Sequence, residues 1–272
     1  MFPTIQMTDL MQLVHVDELR WIDCRSDLKD PSYGQAAYLA SHVPGAVRLD
    51  LAEDLSGPTS PRGGRHPLPL KEEWLRTVQR CGIHPEDFIV IYDDDFTFAP
   101  RAWWLFKWIG HERVVVLEGG FSAYQQFDLP VTEVIPSYPR SNYKDDYQDQ
   151  MIATVSDVAS VRESGNLLVD SRDADRYAGK NETIDSIAGH IPGAVNCPFK
   201  NAISPDGRLK DADDLKEMYA GILDAASPIL YCGSGVTACV NILALHSLGK
   251  TDVRLYPGSY SEWITSPEHS VE

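Results

Sequence analysis

The sequence predicts an α/β protein of two tandem domains, each a parallel sheet with helices on both faces. Three observations carry that prediction. The 272 residues suffice for two domains of ordinary size. Short apolar runs alternate with helical patterns, as they do where strands pair in parallel through helical crossovers. The chain also repeats itself: Ser41-His42-Val43-Pro44-Gly45-Ala46-Val47 returns as Gly189-His190-Ile191-Pro192-Gly193-Ala194-Val195, 148 positions later.

Further markers keep the same order in both halves. A strand ending in Asp-x-Arg precedes each copy, as Trp21-Ile22-Asp23-Cys24-Arg25 and Leu168-Val169-Asp170-Ser171-Arg172. Ile89-Val90-Ile91-Tyr92-Asp93 is matched by Pro228-Ile229-Leu230-Tyr231-Cys232. The closing pieces match too, Val115-Val116-Leu117-Glu118-Gly119-Gly120-Phe121 against Val253-Arg254-Leu255-Tyr256-Pro257-Gly258-Ser259-Tyr260. Four markers in one order identify a duplicated domain, and the period is far too long for a solenoid.

In chain order, the apolar run ending at Asp23 is a strand, and helical patterns cover residues 33–40 and 71–81. A strand follows at Ile89–Tyr92, a helix over 100–109, a strand at Val115-Val116-Leu117 and a helix over 121–126. Residues 129–150, rich in Pro, Tyr, Ser and Asp, predict an ordered linker lying on the surface. The second half repeats the scheme, with strands ending at Asp170, Tyr231 and Leu255 and helices over 215–223 and 236–248. The expected domains are residues 1–130 and 151–272, joined by the linker 131–150.

Composition narrows the function. Hydrophobic residues make up 43% of the chain, enough for packed cores. The net charge of −16 disfavours nucleic acid and anionic membranes as partners. No basic region followed by an apolar run opens the chain, so no signal peptide is expected. No apolar stretch reaches the length of a membrane span. The five cysteines, Cys24, Cys81, Cys197, Cys232 and Cys239, are odd in number and widely spaced. That pattern suits neither a disulfide framework nor a metal site, and fits a reduced, cytoplasmic protein.

The chemistry concentrates at Cys232-Gly233-Ser234-Gly235-Val236-Thr237-Ala238. A cysteine ends a buried strand, a glycine-rich loop follows, and a helix leaves the loop. Such a turn aims backbone N–H groups and the positive end of the helix dipole into one small cavity. The setting favours a thiolate and offers an anion cradle beside it. The plainer reading of a cysteine at a strand end is a small buried hydrophobe. Cysteine phosphatases and sulfur transferases both use such a cradle, but a phosphatase needs a loop arginine to hold three phosphate oxygens. No arginine follows Cys232 here, which argues against phosphoryl chemistry. In the first repeat Asp93 stands at the matching position, followed by Asp94 and Asp95. One thiol site per chain follows.

Together the two His-x-Pro-Gly-Ala motifs, Ala99-Pro100-Arg101-Ala102-Trp103-Trp104, Gly119-Gly120-Phe121 and the Cys232 loop resemble the tandem-domain rhodanese family of thiosulfate and 3-mercaptopyruvate sulfurtransferases. The resemblance runs from about Leu19 to Trp263. It implies two rhodanese-like domains, the first non-catalytic and the second catalytic, and a Cys232 that carries sulfur as a persulfide. It implies a small anionic sulfur donor, an acceptor such as cyanide, a small thiol or a thioredoxin-like protein, and no metal or organic cofactor. The loop residues Gly233, Gly235, Val236 and Thr237 then bind the donor and persulfide through their N–H groups. The Cys-Gly-Ser-Gly-Val-Thr form resembles the mercaptopyruvate type, in which Ser234 works in a proton relay with a histidine and an aspartate. The histidine maps to His66, in Arg65-His66-Pro67-Leu68-Pro69; the aspartate position is Ala52, with Asp50, Glu53 and Asp54 nearby. Arg176 matches the arginine the family places on the anionic end of the donor. A second arginine before His190 is missing; Lys180 lies in that segment, and Arg62 and Arg65 in the Pro/Gly-rich stretch 56–65, a candidate lid, are other sources of charge. Thiosulfate as donor, and a persulfide carrier serving a protein partner, remain the alternatives.

Several tempting residues have plainer readings. His42 and His190 sit in identical settings in both repeats, which argues for structure, as it does for Asp23, Asp170, Arg25 and Arg172. Trp103, Trp104 and Trp108 lie at helical spacing and predict core. Cys239 lies two helical turns after Cys232, about 10 Å by helix rise, too far for a disulfide. Cys24 and Cys81 are read as structural.

Overall fold

A computed structural model describes residues 2–13 and 19–272. Two compact units emerge. The first holds Met1–Gly57, Pro69–Gln148 and Pro205–Arg208; the second holds Pro58–Leu68, Asp149–Ser204 and Leu209–Glu272. The stretch around His66 therefore groups with the second unit, although in sequence it lies inside the first repeat.

The first unit contains β1 (Thr4–Ile5), α1 (Met7–Leu13), β2 (Arg20–Asp23), α2 (Tyr33–Ala40), β3 (Val47–Arg48), α3 (Lys71–Arg80), β4 (Ile89–Tyr92), α4 (Ala99–Trp108), β5 (Val114–Leu117) and α5 (Gly120–Gln125). Its five strands are all parallel, in the order β1-β5-β4-β2-β3. β4 and β5 are buried at every residue, as strands covered on both faces must be. Trp103, Trp104 and Trp108 are buried core, as their spacing predicts.

The second unit contains α6 (Val155–Ala159), α7 (Val161–Ser164), β6 (Leu168–Asp170), α8 (Ala174–Tyr177), β7 (Ala194–Asn196), α9 (Ala212–Leu223), β8 (Ile229–Tyr231), α10 (Ala238–Ser247), β9 (Arg254–Leu255) and α11 (Ser259–Trp263). The sheet order is β7-β6-β8-β9, again parallel. Tyr231, Tyr256, Tyr260 and Trp263 pack in its core with Leu168 and Ile229. α9 starts three residues before the apolar pattern does, because Asp211 caps the N–H groups of Asp213 and Asp214. α10 starts two residues later than its pattern, because Val236 and Thr237 still belong to the loop.

Residues 129–148 carry little regular structure, yet they are tied down. Thr132 exchanges hydrogen bonds with His42, and the N–H groups of Ser141, Asp146 and Gln148 reach Gln79, Ile109 and Trp108 carbonyls. Among the described residues no helix is long and apolar enough to cross a membrane.

Candidate active site

β8 is flanked by β6 and β9, and its carboxyl end delivers Cys232. The cysteine is buried, with 1% of its surface exposed. α11 holds the loop from behind: Tyr260 N–H donates to the Cys232 carbonyl (3.0 Å) and Ser261 N–H to that of Gly233 (2.9 Å). The Cys232 N–H donates to Ser259 Oγ at 3.2 Å, and that hydroxyl donates to the Tyr256 carbonyl at 2.9 Å. Ser259 does this from a left-handed backbone, φ +55°. A serine rarely adopts that conformation, which costs about 1–2 kcal/mol, and the fold retains it directly behind the cysteine.

Gly235 fixes the loop's curl. Its φ is +77°, and a Cβ there would lie 2.4 Å from the Pro257 carbonyl oxygen. Glycine alone fits. The Gly235 N–H then points at Cys232 Sγ, 3.2 Å away. Among the described residues, the N–H groups of Gly233, Ser234, Val236 and Thr237 find no acceptor. The loop thus presents one N–H to the sulfur and a set of open donors beside it, an arrangement suited to a developing anion.

His66 reaches this loop. Gly64 lies so close to Gly258 that a Cβ on it would meet the Gly258 oxygen at 2.5 Å. Arg65 N–H donates to Ser261 Oγ at 3.0 Å. Those contacts bring His66 Nδ1 to 2.8 Å from Ser234 Oγ, two residues from the cysteine. The imidazole tautomer decides which of the two donates. A hydroxyl bonded to a histidine beside a nucleophile can move a proton to or from a reacting group.

Two guanidinium groups flank Gly233. Its missing Cβ would stand 2.8 Å from Arg65 Nη2 and 3.5 Å from both Arg176 Nη atoms. Arg176 Nε donates to both oxygens of Glu182 (3.1 and 2.9 Å), and its Nη2 donates to Asp185 Oδ2 at 2.7 Å. Arg65 Nη1 pairs with Asp185 Oδ1. Burial opposes ionisation of Glu182, but Arg176 and the N–H groups of Asp185 and Ile184 outweigh it and hold the carboxyl below its ordinary range. Arg172 is clamped on Asp170 (2.6 Å), reaches Glu182 at 3.4 Å and lies over the Tyr260 ring. Lys180 and Arg62 are exposed, so of the charges weighed in the sequence only Arg65 joins Arg176 at the loop.

The same turn in the first unit is closed. The Asp93 carboxylate accepts three backbone N–H groups, from Phe96 (2.8 Å), Phe98 (2.7 Å) and Ala99 (2.8 Å). Burial pushes its pKa up to about 7, against the pull of those donors. An internal carboxylate fills the cradle that a ligand would need. Asp50 and Asp54 serve the first unit locally: Asp50 accepts the Ala52 and Glu53 N–H groups, and Asp54 pairs with Arg80 at 2.6 Å. Glu53 is exposed.

The repeated histidines are structural. His42 stacks on Tyr38 at 3.9 Å between ring centres and bonds the Tyr38 carbonyl at 2.7 Å. His190 stacks on Tyr177 at 3.8 Å and bonds the Tyr177 carbonyl at 2.9 Å. Burial pushes Cys81 and Cys197 up to about 12 and about 11, and burial together with Asp23 raises Cys24 well above the ordinary thiol value. Cys239 Sγ makes a weak contact with the Gly235 carbonyl, 3.5 Å away. All five cysteines are free thiols. No group of three His, Cys, Asp or Glu side chains suited to a metal ion occurs among the described residues.

Comparison with known proteins places this geometry. The family model for the rhodanese-like domain matches twice, over residues 6–127 and 154–266. The chain is 38% identical over 262 residues to a probable 3-mercaptopyruvate sulfurtransferase of Pseudomonas aeruginosa, covering 93% of this chain and 92% of that one. It is 36% identical over 262 residues to a putative thiosulfate sulfurtransferase of Mycobacterium tuberculosis, covering 94% and 91%. The solved 3-mercaptopyruvate sulfurtransferase of Leishmania major superposes with a TM-score of 0.85 at 29% identity, over 96% of this chain and 74% of that one.

Proposed function

The chain belongs to the rhodanese family, and on that premise we propose that it is a sulfurtransferase moving sulfur from 3-mercaptopyruvate to a thiophilic acceptor through a persulfide on Cys232. The observation that carries the choice of donor is the hydrogen bond between His66 Nδ1 and Ser234 Oγ, 2.8 Å long, beside a cysteine whose sulfur already accepts an N–H.

The Cys232 thiolate attacks the donor's thiol sulfur. An S–S bond forms while the donor's C–S bond breaks, and the electron pair of that bond leaves on the enolate of pyruvate. The donor's thiol proton is lost as the persulfide anion forms, and Ser234 with His66 passes it to the enolate. The Gly235 N–H and the open loop donors from Gly233 to Thr237 stabilise the persulfide anion. Arg176 holds the donor's carboxylate. An acceptor, cyanide or a small or thioredoxin-like thiol, then attacks the outer sulfur and returns the Cys232 thiolate.

In this reading residues 1–130 form a non-catalytic domain, 131–150 a linker and 151–272 the catalytic domain, with the stretch at His66 completing the latter's site. The setting is the reducing cytoplasm. The second reading is thiosulfate as donor by the same persulfide route, with sulfite leaving; two guanidinium groups at the loop suit a dianion. The ratio of kcat/KM for the two donors tests the choice, and a ratio favouring thiosulfate reverses it. Mass spectrometry of donor-treated protein should find one added sulfur on Cys232. Turnover no greater than that of Cys232→Ser removes the enzyme reading.

A further inference from the structure

Resting on the reading of Cys232 as a nucleophile, we infer that Arg65 is a specificity-determining residue, the second guanidinium of an anion subsite over Gly233. The segment before His190 holds no arginine to pair with Arg176. Arg65 comes instead from the stretch around His66, and three constraints bring it there. Its N–H is bonded to Ser261 Oγ, its neighbour Gly64 is packed on Gly258, and its Nη1 is paired with Asp185.

Asp185 is the positioning element. Its side chain is 1% exposed, and its two oxygens are divided between Arg65 and Arg176. It therefore fixes two guanidinium groups side by side without using them up. Each keeps a nitrogen that no other described residue engages, Arg65 Nη2 and Arg176 Nη1. Both nitrogens lie against the empty side-chain position of Gly233, 2.8 and 3.5 Å from where its Cβ would be. A planar anion beside Gly233 meets one donor from each arginine, one residue along the chain from Cys232. A carboxylate or a sulfonate-type group fits that arrangement; a neutral molecule gains nothing from it. The Arg65 side chain remains 35% exposed, so it also borders the entrance.

The test measures alkylation of Cys232 by iodoacetate and by iodoacetamide, followed by peptide mass spectrometry. The two reagents differ by a negative charge, so their rate ratio reports anion binding and cancels changes in the reactivity of the sulfur itself. Arg65→Met should lower the iodoacetate-to-iodoacetamide ratio about tenfold, the worth of one charge-assisted hydrogen bond. Arg65→Lys should fall between, keeping the charge but losing the fork. Asp185→Asn should also lower the ratio, because both guanidinium groups lose the carboxylate that holds them side by side, and the exposed Arg62→Met should leave it alone. A ratio unmoved by Arg65→Met overturns the inference, as does equal loss in Arg62→Met or failure of either reagent to reach Cys232 in the wild type. Donor turnover is measured alongside. Charge selectivity without turnover leaves the subsite standing and removes the sulfurtransferase reading; turnover without charge selectivity does the reverse.

Discussion

Replacing Ser234 by alanine separates the two donors. Ser234 is 8% exposed, and its hydroxyl lies 2.8 Å from His66 Nδ1. Removing it costs the fold one hydrogen bond, about 1 kcal/mol, so the protein should stay folded. The kinetic cost depends on what leaves. Pyruvate leaves as an enolate that needs a proton, and a positioned proton donor contributes about 10²- to 10⁴-fold. Sulfite leaves from thiosulfate as a stable anion and needs none. Ser234→Ala should therefore lower kcat for 3-mercaptopyruvate by at least about 100-fold, roughly 2.7 kcal/mol on the barrier. Turnover of thiosulfate should fall by less than about tenfold, through lost packing and polarity alone. Pyruvate is followed with lactate dehydrogenase, and thiocyanate, formed when cyanide is the acceptor, with ferric ion. Equal losses with both donors would show that the hydroxyl orients the loop rather than moves a proton, and the relay would be withdrawn.

Four further outcomes are expected. Gly235→Ala forces a Cβ to 2.4 Å from the Pro257 carbonyl at φ +77°; it should destabilise the second unit by more than about 1 kcal/mol and abolish persulfide formation, checked by thermal melting and by sulfur loading. Ser259→Gly relieves a left-handed serine but frees the Cys232 N–H; stability within about 1 kcal/mol of wild type should accompany reduced turnover, and unchanged turnover would deny the serine a positioning role. His190→Gln should lower stability and leave kcat/KM for both donors near wild type, because its ring stacks on Tyr177 and bonds its carbonyl. Asp93 titrates near 7 when folded and near 3.9 when unfolded. Between those values the folded state holds the extra proton, so this carboxyl's contribution to stability is full below about pH 4 and is lost as pH rises through about 7, by up to roughly 4 kcal/mol. The stability of Asp93→Asn relative to wild type should therefore climb from pH 5 to pH 8 in urea titrations; a flat difference would refute the raised pKa.

Much of this was legible because a duplicated sequence compares itself. The strand ends at Asp23, Tyr92, Asp170 and Tyr231 stood out as apolar runs closing on polar residues, and the structure keeps them. Matching Asp93 to Cys232 distinguishes the cysteine turn from its twin on sequence alone. The same comparison assigned His42 and His190 to structure, and their ring stacking bears that out. What stayed hidden lacks a period. β1 has two residues, and α6, α7 and α8 have four or five, too few for a hydrophobic pattern to declare itself. Arg62 and Arg65 are equivalent in sequence, two arginines in a Pro/Gly-rich stretch. Only Gly64 packed on Gly258 and the Ser261 hydroxyl decide that Arg65 turns inward. Glu182 and Asp185 resemble surface acids until Arg176 is seen to bury them. Ser259 carries no signal at all, since its role depends on a backbone angle.

The two copies of the turn show what a cradle of backbone donors demands. Buried N–H groups left without an acceptor cost about 1–3 kcal/mol each, so a fold keeps them paired or keeps them for a ligand. The first unit pairs most of them: Asp93 accepts three, at 2.7–2.8 Å, and Asp95 Oδ1 a fourth at 3.2 Å. The second unit has a cysteine, whose sulfur takes one N–H at 3.2 Å, and the neighbouring donors stay open. Exchanging a carboxylate for a thiol thus does more than change one side chain. It empties the cradle by the volume and charge of an anion and leaves that room beside the sulfur. A persulfide restores what was removed, because its outer sulfur carries negative charge one bond beyond Cys232 Sγ. The turn should accordingly be more stable with the persulfide than with the bare thiol. Sulfur-loaded protein should melt higher than reduced protein, while Cys232→Ser, which cannot load, should melt at the same temperature with and without donor. A persulfide that lowered the melting temperature would mean that the open donors do not face it.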